Sequence, residues 1–179
     1  MLILDAETDE ESCFLLCFKV KVTAAFLQNF AGDQVRFLAR DFGVPGDHEG
    51  QKSVGYRWPH GPVAIVAPFN FPLEIPVLQL MGSLFMGNRP VFKPTEKVSF
   101  VMEQFLHLLH HCGMPKEDVD FLNCDGLVAE KLILSAPIQL TQFTGSSRVA
   151  EILAEKTRGK VKVCSHAEGG DWLFHVRLN

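Results

Sequence analysis

Short apolar runs alternate with amphipathic segments along most of this chain. Five apolar runs predict strands, at residues 63–67, 90–93, 119–123, 139–143 and 161–163. Four segments with apolar residues at helical spacing lie between these runs, at 73–86, 97–112, 126–135 and 146–158. Strands and helices in strict turn are typical of right-handed βαβ units. We therefore expect an α/β fold with a mainly parallel sheet and helices on both faces.

The part of the chain before the first of these strands shows another pattern. Apolar residues recur at helical spacing from Val22 to about Arg40, and the run 42–46, with two glycines and a proline, predicts the end of that helix. The stretch 47–60 is polar and glycine-rich, which predicts a surface connection. Residues 1–20 combine an acidic start with an apolar run that has no clear period, so they predict no defined element.

Composition and charge narrow the classes of partner. The formal net charge is −4 and charges of both signs are spread along the 179 residues, so no basic surface for nucleic acid is predicted. No apolar stretch approaches the ~20 residues of a membrane-spanning helix. The start of the chain is acidic, unlike a secretory signal or an Arg-rich transit peptide, so no import signal is visible. We expect neither nucleic acid nor a membrane as a partner.

The cysteines and histidines do not predict a metal site. The five cysteines are an odd set without zinc-pair spacing, which favours reduced thiols and an intracellular setting. His107, His110 and His111 share a predicted helix, where an i, i+3 or i+4 pair can hold a metal ion. No acidic or thiol ligand of suitable spacing accompanies these histidines, so we expect no bound metal.

The turn after the strand at 63–67 carries a candidate catalytic group. Asn70 lies there between Pro68 and Pro72, which limit the conformations of the backbone. Parallel sheets bind ligands beyond the carboxyl ends of their strands. The Asn70 side-chain NH₂ can donate to an oxyanion that forms on a substrate carbonyl. The alternative is a turn asparagine that bonds only to its own backbone.

Two later strand ends carry residues that suit a nucleotide. Lys93 and Glu96 supply an ammonium and a carboxylate that can bind ribose hydroxyls, or that form only a surface ion pair. Gly145 allows the backbone to come close to a ligand, and the helix start at Ser146 and Ser147 offers N–H groups to a phosphate. The alternative is an ordinary serine cap of the helix. Neither G-x-G-x-x-G nor G-x-x-x-x-G-K-[ST] occurs, so the prediction depends on the order of the three sites.

This ordered set of motifs resembles the aldehyde dehydrogenase superfamily in its Rossmann-like, NAD-binding domain. The motifs are Pro-Phe-Asn-Phe-Pro at 68–72, Gly-Asn-Arg-Pro-Val-Phe-Lys-Pro-Thr-Glu at 87–96 and Phe-Thr-Gly-Ser at 143–146. Longer runs are similar to the plant-type Δ1-pyrroline-5-carboxylate dehydrogenases, which oxidise glutamate semialdehyde in proline breakdown, at 29–40, 42–50 and 55–59. The resemblance covers a domain at about 22–163, between an uncertain lead-in at 1–21 and a divergent tail at 164–179.

The resemblance implies NAD as the cofactor and a role for each motif. Asn70 would be the oxyanion-hole amide, and Lys93 and Glu96 would hold the adenine ribose. Gly145 belongs to the turn in which Ser146 would contact the pyrophosphate. The cofactor groove would be lined through backbone and ring by Ile65, Ala67, Pro68 and Phe69. In the family a cysteine thiolate attacks the aldehyde, hydride passes to the nicotinamide, and a glutamate activates the water that releases the acid.

Two catalytic groups depart from the family pattern. The family nucleophile belongs to a Gly-Gln-x-Cys loop well beyond the Phe-Thr-Gly-Ser turn, and none of the five cysteines matches that motif. Glu168 precedes two glycines, as the general base does across much of the superfamily, whereas plant-type relatives have that glutamate nearer position 164. The resemblance therefore implies an oxidoreductase lineage in a chain that lacks the catalytic domain and is inactive alone.

Two other interpretations stay open at this point. In the first, the chain is a non-catalytic, truncated fragment that binds a dinucleotide or modulates a full-length subunit. In the second, it is a Rossmann-like domain with unrelated chemistry. By resemblance the substrate is a small-molecule aldehyde, and the partner is a full-length relative in a homo- or hetero-oligomer. The family compartment is the mitochondrion, with the cytoplasm as the alternative because no import signal is visible.

Overall fold

The computed structural model describes residues 10–32, 40–135, 137–157 and 162–167. The helices in these ranges are α1 (Glu10–Ala31), α2 (Glu74–Phe85), α3 (Ser99–His111), α4 (Gly126–Ser135) and α5 (Ser147–Thr157), with a 3-10 turn at Lys116–Asp118. The strands are β1 (Phe42–Pro45), β2 (Lys52–Gly55), β3 (Pro62–Val66), β4 (Arg89–Lys93), β5 (Asp120–Phe121), β6 (Leu140–Gly145) and β7 (Lys162–Ala167).

Strands β3 to β7 form one parallel sheet in the order β5-β4-β3-β6-β7. The chain builds β4 and β5 on one side of β3 and then crosses to build β6 and β7 on the other. Each of the five predicted strands and the four helices between them is present, the helix at 126–135 with the predicted bounds and the others with one or both ends shifted. The predicted α/β fold with a parallel sheet is confirmed.

The two faces of the sheet carry separate apolar clusters. On one face, Val63 and Ile65 of β3 pack with residues of α2 and α3. On the other face, Ala64 packs with Ile133 of α4 and Leu153 of α5. Successive side chains of a strand point to opposite faces, which is why neighbours in β3 join different clusters. Helices therefore cover both faces of β3, as its continuous apolar run predicts.

Helix α1 corrects the prediction for the N-terminal region. The predicted helix runs from Val22 to about Arg40, whereas α1 spans Glu10–Ala31. The helix packs on α2, and the rings of Phe30 and Phe85 stack with their centroids 5.7 Å apart. The early residues of α1 show no clear apolar period, which is why the sequence pattern predicted no element there. Most of the remaining predicted helix lies outside the described residues.

The segment between α1 and β3 contains a hairpin that the sequence pattern did not predict. Strands β1 and β2 pair in antiparallel fashion, with Phe42 opposite Gly55. The run 42–46, predicted to end a helix, therefore contains β1, and the predicted surface connection 47–60 contains β2. The hairpin buries little: Phe42 is 68% exposed and nearby Trp58 is 83% exposed. A strand pair without a buried face shows no alternation of apolar and polar residues, so no strand was predicted.

The structure also bears on the predictions about membrane-spanning helices and about the cysteines. Among the described helices, none is both long enough and apolar enough to cross a lipid bilayer. The described cysteine side chains, Cys17, Cys112 and Cys124, are free thiols.

Candidate functional site

The carboxyl ends of β4, β3 and β6 meet at one edge of the sheet. Val66 of β3 pairs with Lys93 of β4 on one side and with Phe143 of β6 on the other. The order in which strands are added reverses at β3, because β4 and β5 lie on one side of β3 and β6 and β7 lie on the other. Open parallel sheets bind ligands beside such a switch point, beyond the carboxyl ends of the strands. The turns after these three strands therefore lie at one edge, as the sequence predicted.

The turn from β3 to α2 carries Asn70. The backbone N–H of Ala67 donates to the carbonyl oxygen of Lys93 at 3.3 Å, which ties the turn to the end of β4. The Oδ1 atom of Asn70 is buried and has no hydrogen-bond partner among the described residues. The Asn70 side-chain oxygen therefore accepts no hydrogen bond from the backbone of its own turn. For the NH₂ group, the alternative of a turn asparagine that bonds only to its own backbone stays a prediction. Asn70 as a whole is half-buried, so its accessible atoms do not include this oxygen.

The residues predicted to line a cofactor groove differ in exposure. Ile65 and Ala67 are buried in the core, and Pro68 is half-buried. Phe69 is 58% exposed, and the Lys97 ammonium lies 5.3 Å from the centroid of its ring. A ligand at this edge would therefore meet the Phe69 ring and the turn backbone, whereas the side chains of Ile65 and Ala67 support the turn from the core.

Lys93 and Glu96 form an ion pair in the turn after β4. Lys93 Nζ donates to Glu96 Oε2 at 3.0 Å, and the side chains are 12% and 58% exposed, respectively. The backbone N–H of Glu96, followed by the Lys93 ammonium, holds the pKa of the Glu96 carboxyl below its ordinary value. The carboxylate therefore stays ionised as the pH falls through that ordinary value, and it accepts hydrogen bonds only. A mostly buried donor and an accessible acceptor are thus held side by side.

The turn after β6 leads directly into α5. The carbonyl oxygen of Ser146 accepts from the N–H groups of Val149 and Ala150, so Ser146 is the cap position of the helix. Ser146 is exposed, and the first turn of α5 contains no acidic residue. Unpaired N–H groups and the helix dipole make this end of α5 favourable for an anion.

Gly145 has a structural role that the sequence did not reveal. A Cβ atom at this position would lie 2.8 Å from Cζ of Phe143, whose buried ring packs in the cluster with α4 and α5. The prediction attributed the glycine to close approach of a ligand. The Phe143 ring beneath the turn also leaves no room for a side chain at position 145.

A small recess opens beside the ion pair, between the sheet and α4. Its wall contains the Lys93 stem and Cys124, and is otherwise apolar, with Ala64, Ile65, Val66, Val91, Leu122, Ala129, Leu132 and Ile133. Apolar surface therefore adjoins Lys93, in a recess with room for no more than about one water molecule.

Comparison with known proteins assigns the chain to a family. The model of the aldehyde dehydrogenase family matches residues 15–176. The chain belongs to the aldehyde dehydrogenase family. It is 60% identical over 154 residues to Delta-1-pyrroline-5-carboxylate dehydrogenase 12A1, mitochondrial, of Arabidopsis thaliana, covering 86% of this chain and 27% of that protein. The predicted resemblance is confirmed, and the family match also extends into the tail predicted to be divergent, beyond the predicted 22–163.

Two solved structures share the fold. The NAD-dependent aldehyde dehydrogenase from Sinorhizobium meliloti has a TM-score of 0.77 and 25% identity, covering 84% of this chain and 30% of that chain. A variant of Proline Utilization A (PutA) from Bradyrhizobium japonicum has a TM-score of 0.76 and 26% identity, covering 84% of this chain and 16% of that chain. This chain therefore spans less than a third of the length of each of these proteins.

Two contacts at this edge of the sheet were missed by sequence reasoning. Gln79 Nε2 of α2 donates to Thr144 Oγ1 of β6 at 2.7 Å, which links helix and strand. Lys19 Nζ of α1 donates to the backbone oxygen of Asn70 at 2.9 Å. Both contacts join residues that are far apart in the chain, and Lys19 lies in the segment for which no element was predicted. No local pattern in the sequence indicates either contact.

Two further predictions concern the general base and metal binding. Glu168, the general-base candidate, lies outside the described residues. His110 Nδ1 is 3.0 Å from the carbonyl oxygen of Met114, a local contact at the end of α3. In the parts of the chain that the structure describes, no group of three or more His, Cys, Asp or Glu residues is arranged to hold a metal ion.

Proposed function

We propose that this chain forms the cofactor-binding part of an NAD-dependent aldehyde dehydrogenase of proline breakdown. The observation that carries the proposal is the alignment of Lys93, Val66 and Phe143 across β4, β3 and β6. This alignment gathers an ion pair, an amide and a helix N-terminus at one edge of the sheet. The family match and the NAD-dependent structural neighbour support NAD as the cofactor.

Lys93 and Glu96 hold the adenine ribose in this proposal. The Lys93 ammonium donates to a ribose oxygen, and the Glu96 carboxylate accepts from ribose hydroxyls. The exposure of Glu96 and its lowered pKa support this role, because the carboxylate is both reachable and ionised.

The pyrophosphate lies at the N-terminus of α5. Ser146 and the free N–H groups of the first turn donate to its oxygens, and the absence of acidic residues from that turn avoids repulsion. Gly145 keeps the approach to these groups open. The exposed Phe69 ring, with Ile65, Ala67 and Pro68 behind it, forms the wall of the groove toward β3.

Asn70 donates its NH₂ to the oxygen of the reacting aldehyde. The buried Oδ1 supports this assignment, because it leaves the NH₂ as the side-chain group that can meet a substrate. A donor held at the position of developing negative charge stabilises the transition state. NAD, when bound, would supply the hydride acceptor, and the nucleophile that first adds to the aldehyde carbon is not matched by any cysteine motif of this chain. Glu168 is the candidate that activates water in the second half of the reaction.

The substrate is proposed to be L-glutamate 5-semialdehyde, the open form of 1-pyrroline-5-carboxylate, with glutamate as the product. The names of the Arabidopsis relative and of the PutA neighbour support this choice. The same Arabidopsis name supports a mitochondrial location. The domain bounds of 22–163 remain predictions.

Calorimetry with NAD tests the ribose assignment. We expect Glu96→Gln to weaken NAD binding about tenfold, since a hydrogen bond to a charged group contributes about 1.5 kcal/mol or more. Glu103→Gln is the matched control, because Glu103 is an exposed carboxylate on α3 and the substitution removes the same charge. Equal affinities for NAD in the wild type and in Glu96→Gln would contradict the assignment.

A turnover assay tests whether the chain acts alone. We expect no NADH from glutamate semialdehyde and NAD with the purified chain, because no Gly-Gln-x-Cys motif occurs in its 179 residues. A full-length relative in the same assay verifies the substrate preparation. NADH formation that Asn70→Ala abolishes would show that this chain contains a nucleophile outside that motif.

The alternative proposal is a non-catalytic fragment that binds dinucleotide or joins a full-length subunit in an oligomer. NAD binding without turnover by the isolated chain fits both proposals. Added activity when the chain is mixed with a full-length relative would favour catalysis within an oligomer, and reduced activity of that relative would favour a modulator.

A further inference from the structure

Lys19 of α1 contacts the Asn70 turn at two points. Its ammonium donates to the backbone oxygen of Asn70 at 2.9 Å and lies 4.8 Å from the centroid of the Phe71 ring. An ammonium gains free energy from both contacts, through a charge-assisted hydrogen bond and through attraction to the face of an aromatic ring. Lys19 is half-buried, so water screens these contacts only in part.

The turn offers few backbone N–H donors of its own for the carbonyl oxygen of Asn70. Pro68 and Pro72, on either side of Asn70, have no backbone N–H. The hydrogen bond from Lys19 is part-buried, and a carbonyl left without a donor in such a place lowers the stability of the fold. Lys19 thus restricts the orientation of the peptide that joins Asn70 to Phe71.

Helix α1 presents Lys19 from a packed element. Phe30 of α1 is buried and stacks on Phe85 of α2, and Leu27 packs against the cluster on that face of the sheet. The turn continues directly into α2, so α1 is attached to the same helix that the turn begins. A side chain on a packed helix holds its partner more firmly than one on a free loop does.

We propose that Lys19 is a positioning residue that holds the Asn70 amide and the adjoining groove wall at the reacting end of the cofactor. The inference rests on the proposed function, in which Lys93, Glu96 and Ser146 hold the ADP half of NAD. Lys19 itself touches neither cofactor nor substrate. It acts on the carbonyl of Asn70 and so limits where the side chain of that residue points.

Calorimetry with NAD and with ADP separates this role from a general effect on the fold. We expect Lys19→Met, which keeps the aliphatic stem, to weaken NAD binding about fivefold to tenfold and to leave ADP binding unchanged. Lys19→Arg retains a cationic donor and is expected to restore NAD affinity to within about twofold. Lys21→Met is the matched control, because Lys21 is an exposed lysine of the same helix.

An NMR measurement without ligand tests the position of the Asn70 side chain directly. In the amide spectrum of the protein labelled with ¹⁵N at asparagine, Lys19→Met is expected to shift or broaden the Asn70 side-chain resonance, and Lys21→Met is not. An unchanged Asn70 resonance overturns the inference, as does an equal loss of NAD and ADP affinity. If the wild type binds neither nucleotide while the resonance shifts as expected, the proposed cofactor role fails and the positioning of Asn70 stands.

Discussion

Phe92→Ala is expected to lower the free energy of unfolding by about 3–5 kcal/mol. Phe92 of β4 is 0% exposed, and its ring lies 5.9 Å from that of Phe121 of β5. Truncation removes apolar contacts on the face covered by α2 and α3 and leaves a cavity there. Denaturant unfolding with linear extrapolation measures the loss.

Phe100→Ala is the matched control for this prediction. Phe100 of α3 is 58% exposed, so its truncation is expected to change the free energy of unfolding by no more than about 0.5 kcal/mol. Similar losses for the two variants would show that Phe92 is not part of the packed interior. Because domains of this kind are stable by only about 5–15 kcal/mol, the Phe92 variant should also unfold at a clearly lower temperature.

Gly145→Ala is expected to lower the free energy of unfolding by about 1–3 kcal/mol, the usual result of overfilling a packed core. The added methyl would lie 2.8 Å from the Phe143 ring, which is itself buried between β6 and the helices α4 and α5. Either the ring or the turn has to move. We therefore also expect weaker NAD binding, which calorimetry on the same preparation measures.

Gly126→Ala is the control for the Gly145 variant. Gly126 is the first residue of α4, and a Cβ atom there would meet no heavy atom within 4 Å. Alanine favours helix over glycine, so the free energy of unfolding should stay equal or rise slightly. A loss for Gly126→Ala as large as for Gly145→Ala would indicate that the glycine effect is not specific to the Phe143 contact.

Much of the sheet and of the site edge was predictable from local patterns. The apolar run in β3 is buried on both faces, and the helices after it repeat apolar residues at helical spacing, so period and length identify both. The gathering of Asn70, the Lys93–Glu96 pair and Ser146 followed from one rule, that carboxyl ends of parallel strands meet at the same edge.

The rest depends on contacts that no local pattern contains. The start of α1 at Glu10 was missed because its early residues show no clear apolar period. The β1–β2 hairpin was missed because it buries too little to impose alternation on its side chains. The contact of Phe143 with Gly145 depends on ring placement in the core, and that of Lys19 with Asn70 joins two elements through tertiary packing.

The shared register of β4, β3 and β6 also bears on how such a site can change over time. Backbone pairing holds neighbouring strands about 4.8 Å apart whatever side chains they carry. The spacing between the three loops is thus a property of the scaffold and not of the loops. Each loop can exchange residues and acquire a new specificity while its neighbours keep their relative positions.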